Sequence, residues 1–510
     1  MRSSVVRKLF GYVCLFVVLT SGLNANQIFV STAGSDTNSG TIDQPLLTIP
    51  KAMSVAAAGD TIYLRGGTYS IHSTINISKS GSSESNYYLF AYPNERPILD
   101  CTGMPVSSSY RCVNLKGRYW HIKGIAIKKA GDNGMNISGS NNIVENCSFS
   151  ENGDTGLQLG SGASNNQIIN CDSYYNVDPS QGNADGFAPK LDVGTGNYFY
   201  GCRSWQNSDD GWDGYLRPSD SVSTTLENCW SFMNGYLKNG SRSSGNGNGF
   251  KMGGGDNGNA DSLRHNMILK DCLSFDNKVK GFDQNNNRGS MTLLNCTAYR
   301  NGTNYQISAG LKSGSVLTVE NCVALGSYGS LASFAVQKTN SWMSPFSATE
   351  SDFVSIDTTG VRGPRKADGS LPDVPFMHLV LGSQFIDAGT NVGLPYVGSA
   401  PDLGAFEFDA TATVAHATTN GAPHVFELLQ NYPNPFNPST AISFQIPARS
   451  HVLLKVYDVL GREVATLIDE DKSTGFYSTQ WNARNVSSGV YFYSIRAGNY
   501  TAVKKMIVMK

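Results

Sequence analysis

The chain carries little charge: Asp, Glu, Lys and Arg make up 15% of its 510 residues, and the formal net charge is −1. A balance so close to zero supplies no basic field for a phosphate backbone, so nucleic acid is not an expected partner. Heptads are missing, helical periodicity is weak, and no long apolar run follows the first two dozen residues. Coiled-coil assembly and membrane spans are therefore not expected in the body of the chain, which should act as a monomer. Length alone allows several domains.

The one apolar run stands at the start. Arg2, Arg7 and Lys8 precede Leu9 to Leu19, and small residues follow to Ala25. This is the pattern of a secretory signal peptide over 1–25, too short for a span. Cys14 lies inside the apolar stretch rather than at a cleavage boundary, which disfavours a lipid anchor. The mature chain should begin near Asn26, outside the cytoplasm, where its other nine cysteines could form disulfides.

Seven of those nine mark a repeat: Cys147, Cys171, Cys202, Cys229, Cys272, Cys296 and Cys322. Three residues before each is an apolar side chain, from Val144 to Val319. Five after stand Asn152, Asn176, Asn207, Asn234, Asn277, Asn301 and finally Ser327. Recurrence at this period makes a solenoid, whose units bury their faces only by stacking. The alternation around each Cys reads as a short strand, so the expected fold is all-β, a parallel β-helix with an internal asparagine ladder. The repeat cysteines should then stack inward as small apolar side chains, leaving Cys101 and Cys112 as the one plausible bridge.

A second column aligns on glycine: Gly134, Gly156, Gly186, Gly211, Gly249, Gly281 and Gly310. The next residue is large and apolar (Met135, Leu157, Phe187, Trp212, Phe250, Phe282, Leu311) and should point inward. The one after it, including Asp213 and Lys251, should point outward. One place before the glycine, Asp185 and Asp210 are neighbours in the same way, with Asp209 beside them. For any single Asp-Gly pair a turn is the commoner reading. Asp185, Asp209, Asp210 and Asp213 in register reverse that preference, because four converging carboxylates repel unless a cation neutralises them. A hard ion with many oxygen ligands, Ca²⁺, fits. No His or Cys accompanies them at ligand spacing, which argues against Zn²⁺ or a redox metal. Lys251 beside such an ion should lose its proton more easily and serve as a general base. With a uronic-acid carboxylate gripped by the cation, those roles describe β-elimination. Lys190 competes with Lys251 for the base, or is a positive group that holds substrate.

On these motifs the run from about Gln27 to Phe408 resembles the family 9 polysaccharide lyases, right-handed parallel β-helix proteins of pectate-lyase type. The resemblance is carried by Asn183-Ala184-Asp185-Gly186-Phe187-Ala188 with Lys190, by Cys202 to Asp213, and by Gly247-Asn248-Gly249-Phe250-Lys251. It implies a Ca²⁺ site at Asp185, Asp209, Asp210 and Asp213 and Lys251 as the proton-abstracting base. The stretch from Lys280 to Asn287 also looks familial. Lys190, Trp212, Tyr215 and Asn285 are candidates for substrate contact. The implied partner is an acidic plant polysaccharide, pectate or rhamnogalacturonan. Two other classes stay open: a non-catalytic polysaccharide-binding or adhesin β-helix, and an inverting glycoside hydrolase, which would have no use for the registered lysine.

The remaining chain divides further. A short amphipathic helix over Ile49 to Ala58 should cap the open end of the solenoid. After Cys322 the repeat decays through long loops from Ser344 to Pro375, and Pro401 to Glu407 reads as the last coils. The β-helix is bounded at 26–409, a linker follows at 410–423, and 424–510 forms a small β-sandwich of short strands between turns. This unit, with Asn431-Tyr432-Pro433-Asn434-Pro435-Phe436-Asn437-Pro438, resembles the type A C-terminal sorting domain of the type IX secretion system. That implies passage through the periplasm and recognition by the type IX machinery at the outer membrane.

Overall fold

The computed structural model describes residues 25–256, 263–408, 426–431 and 434–509. The signal segment up to residue 24, the whole linker, and Tyr432 and Pro433 of the sorting motif lie outside them. No helix among the described residues is long and apolar enough to cross a membrane.

Three parallel sheets wind into a right-handed β-helix. Sheet A has twelve strands, from Gln27–Val30 to Val336–Lys338; sheets B and C have ten each. One coil contributes a strand to each in turn, as Met135–Ile137 (C), Ile143–Glu145 (A) and Ser148–Ser150 (B). The inward column of sheet C pairs directly from coil to coil: Leu157 with Phe187, Phe187 with Trp212, Trp212 with Phe250, Phe250 with Phe282. The rings stack at 4.9 to 5.2 Å, offset rather than eclipsed. The column ends on Tyr305, which pairs with Phe282, and not on Leu311.

The asparagine ladder is continuous. Each Nδ2 donates to the Oδ1 of the next coil, from Asn152 to Asn176, Asn207, Asn234, Asn277 and Asn301, at 2.8 to 3.0 Å. Asn301 Nδ2 then donates to Asn304 rather than reaching Ser327, because Asn304 brings a carboxamide to the next position after only three residues. A second ladder runs through Asn142, Asn166 and Asn197. All nine described cysteines are buried and unbridged, so the Cys101–Cys112 pairing is not formed. The thiols of the repeat cysteines donate to carbonyls of the stack, as Cys171 Sγ does to Val144 O at 3.4 Å.

The cap helix spans Ile49–Val55, with Thr48 as N-cap accepting from Lys51 N and Ile49, Ala52 and Met53 buried. At the far end the expected last coils are absent. Residues after Lys338 turn back and cover the outer face of sheet B, where Phe376, Leu379, Phe385 and Leu403 pack on Trp205, Trp230, Phe232 and Phe275. Arg203 and Arg365 clamp this cover: both bind Asp172, and Arg203 also donates to Val361 O at 2.9 Å. Burial alone would raise the Asp172 carboxyl; Arg365 and Arg203 outweigh it and hold the group below the usual range. The C-terminal unit has a three-stranded and a four-stranded antiparallel sheet around its own core of Ile442, Phe444, Leu454, Tyr493 and Met506.

Candidate active site

Sheet C places the acidic residues on adjacent coils. Asp185 precedes the strand Phe187–Pro189, Asp209 and Asp210 precede Trp212–Asp213, and Lys251 ends Phe250–Lys251, where its backbone pairs with that of Asp213. The glycine between acid and strand allows this approach. At Gly211 a Cβ would fall 2.0 Å from Ser231 Oγ and 2.5 Å from Gly249 O.

Carboxylate oxygens of Asp185, Asp209 and Asp210 lie within 4.8 Å of one another. Two lysines close the group. Lys190 Nζ is 2.6 Å from Asp185 Oδ2 and 3.5 Å from Asp213 Oδ2; Lys251 Nζ is 3.1 Å from Asp210 Oδ2 and 3.3 Å from Asp213 Oδ1. Backbone donors hold the carboxylates as well: Asp210 N to Asp185 Oδ1, Asn248 N to Asp210 Oδ1, Asn246 N to Asp209 Oδ1 and Tyr215 N to Asp213 Oδ1. Asn246 and Asn248 close the insert that follows Asn234. That insert folds against the site through Gly245, where a Cβ would meet Gln181 O at 2.2 Å.

Positive charge is short here. Burial, with the Asp209 charge, pushes the Asp210 carboxyl up to about 8. Burial likewise raises Asp185 well above the usual range and raises Asp209. Burial would raise Asp213 too, but Lys251 and Lys190 outweigh it and hold it low. Lys251 is pulled down by burial, yet Asp213 and Asp210 win and hold it well above the usual lysine value. Asp210 Oδ2 is buried and accepts no hydrogen bond; Lys251 Nζ is near but not aligned as a donor. An orphaned carboxylate oxygen among converging acids fits a hard cation.

Lys190, Asp209, Asp213 and Lys251 line a cleft of about 520 Å³, with Asp185 and Asp210 buried and outside its lining. Tyr215 lines it, with its ring 5.5 Å from Lys251 Nζ and its hydroxyl on Asp256. Two expected contacts do not belong to it. Trp212 is 1% exposed, stacked inward between Phe187 and Phe250, and cannot touch a ligand in the cleft. Asn285 occupies a turn at φ 42°, its amide donating to Gly253 O, and does not line the cleft. Arg111, Asp132, Asp154, Gln158 and Arg217 line it and were not expected. Asp132 and Asp154 stand two residues before Gly134 and Gly156, as Asp209 does before Gly211, so the glycine column held that signal.

Residues 28–321 match the family model described as Pel9A-like, right handed beta helix region. The chain belongs to that family. Pectate lyase L of Dickeya chrysanthemi is 40% identical over 404 residues, which cover 76% of this chain and 92% of the relative. The crystal structure of pectate lyase Pel9A superposes with a TM-score of 0.71 at 38% identity, covering 76% of this chain and 98% of that one. A rhamnogalacturonan lyase structure superposes at 0.62 with 28% identity, covering 70% and 97%. Residues 430–509 match the secretion system C-terminal sorting domain, so this member of the family is exported by type IX secretion to the cell surface or beyond.

Proposed function

We propose that the protein is a secreted, calcium-dependent pectate lyase that cleaves polygalacturonate by β-elimination to unsaturated oligogalacturonides. Its catalytic body would span 26–409 and its sorting domain 424–510. The observation that carries the reading is the pairing of Lys251 with Asp213 on adjacent strands, beside three further buried carboxylates. A calcium ion on Asp185, Asp209, Asp210 and Asp213 would withdraw electrons through a bound uronate carboxylate and acidify the proton on the carbon next to it. Lys251 Nζ would take that proton. The C–H electron pair becomes the new double bond as the glycosidic oxygen on the adjacent carbon leaves, and water supplies that oxygen's proton. Lys251 accepts a proton only when the acids that hold it charged are otherwise neutralised, so base and ligands form one unit. Lys190, locked on Asp185, orients that carboxylate, and Tyr215 offers a flat wall to a sugar ring. The molecule would work as a monomer.

A second reading, rhamnogalacturonan as substrate, is supported by the likeness to a rhamnogalacturonan lyase structure. Activity on the two polymers side by side separates them. Unsaturated product from polygalacturonate supports the first reading, and product from rhamnogalacturonan alone supports the second.

A further inference from the structure

The cleft extends well beyond the acid cluster. Its lining runs from Lys251 back through earlier coils to Arg111. At the far end Arg111 Nε donates to Asp132 Oδ2 at 2.9 Å, and Asp132 is 6% exposed. Among the described residues the two terminal nitrogens of Arg111 have no hydrogen-bond partner. Gln158 is in the same condition: its Oε1 accepts from Asn133 Nδ2 at 3.2 Å, leaving Nε2 unused.

An arginine anchored through Nε presents its other two nitrogens as a fork matched to a planar carboxylate. Asp132 offsets part of the Coulomb attraction but fixes the fork before any ligand arrives, which lowers the ordering cost of binding. We propose that Arg111, supported by Asp132 and Gln158, forms a remote subsite for the carboxylate of a uronate unit in the bound polymer. The subsite rests on the lyase reading above and extends it. From the row of Asp132 to that of Lys251 there are four coil steps. At the usual strand spacing that is on the order of 19 Å along the solenoid axis. A bound chain that reaches both Lys251 and Arg111 therefore spans several sugar units.

The test pairs kinetics with binding. Full-length enzyme and Arg111→Ala are assayed with calcium on polygalacturonate and on oligogalacturonates of increasing length. The expected result is a rise in KM of about tenfold for long chains, with kcat nearly unchanged and no effect on oligomers too short to reach both Lys251 and Arg111. Arg111→Lys, which keeps charge but loses the fork, should recover only part of the loss. Calorimetry on Lys251→Ala, with and without Arg111→Ala, reads the same subsite without turnover. If wild type makes no unsaturated product yet long oligogalacturonates still need Arg111 to bind, the lyase reading fails and the subsite stands. An equal loss at every chain length, or no loss at any, overturns the subsite; absence of binding by either protein overturns both.

Discussion

Lys251 Nζ stands 3.3 Å from Asp213 Oδ1 across two directly paired strands. With only two lysines to balance them, Asp185, Asp209 and Asp210 are pushed toward the protonated state by burial and by neighbouring carboxylates, Asp213 among them. A divalent cation should relieve that strain and stabilise the folded β-helix. Thermal unfolding followed with increasing Ca²⁺ should show a rising midpoint, worth about 3 kcal/mol at a hundredfold excess over Kd. Asp210→Asn should remove most of the shift. An Asp210→Asn protein that gains as much from calcium as wild type would put the cation elsewhere.

The ladder carries stability apart from the site. Asn277 accepts from Asn234 Nδ2 at 3.0 Å and donates to Asn301 Oδ1 at 2.9 Å in a buried column. Asn277→Ala should cost about 3 kcal/mol, because the backbone N–H of Asn234 loses its acceptor and Asn301 Oδ1 keeps only the backbone N–H of residue 277. Denaturant unfolding measures it, and a change within experimental scatter would mean that water fills the gap.

Acid should weaken the fold through His265. Burial pushes its imidazole down to about 4, against 6.5 in the unfolded chain, while the ring bonds Thr224 Oγ1 and Gly214 O. Between those values the unfolded chain binds the extra proton. This group's contribution is therefore complete above about 6.5 and is lost as pH falls toward 4, about 3 kcal/mol in all. His265→Gln, which cannot titrate, should flatten that part of the stability profile; an unchanged slope would assign acid sensitivity to other groups.

Trp212 belongs to the core. Trp212→Phe should cost about 1–2 kcal/mol of stability and leave KM near its wild-type value, since Phe187 and Phe250 already stack as phenyl rings and the indole Nε1 has no partner to lose. Tyr215→Ala should do the reverse, raising KM at nearly constant stability. A large KM change in Trp212→Phe measured by steady-state kinetics would contradict this division.

The coil register was legible because Cys, Asn and Gly recur at fixed offsets, each tied to one packing role. It failed where a coil shortened: Asn304 and Tyr305 took the places expected for Ser327 and Leu311. The second ladder stood in view five residues before Cys147, Cys171 and Cys202, but only three members long, with Thr224 next in line. The cover on sheet B had its own signal in Tyr174, Trp205, Phe232, Phe275 and Tyr299, three residues after successive cysteines. A row of outward rings needs a lid, and the irregular segment after Lys338 supplies it without any period to betray it. Register alone put Asp213 beside Lys251, and Asp185 beside Asp210 with Asp209; that the two sets meet is seen only in the structure, in the contact of Lys251 with Asp210. The cleft did not follow from register, since its walls come from the Gly235 to Gly247 insert and from long side chains of earlier coils.

The most direct test of the account follows ultraviolet absorbance of unsaturated uronide on polygalacturonate, using full-length enzyme with calcium, enzyme with chelator, and Lys251→Ala with calcium. The account predicts a steady rise in the first, none in the second, and a rate lower by about a thousandfold in the third, with the variant still unfolding cooperatively. A rise that survives the chelator, or one that Lys251→Ala sustains at the wild-type rate, would contradict it.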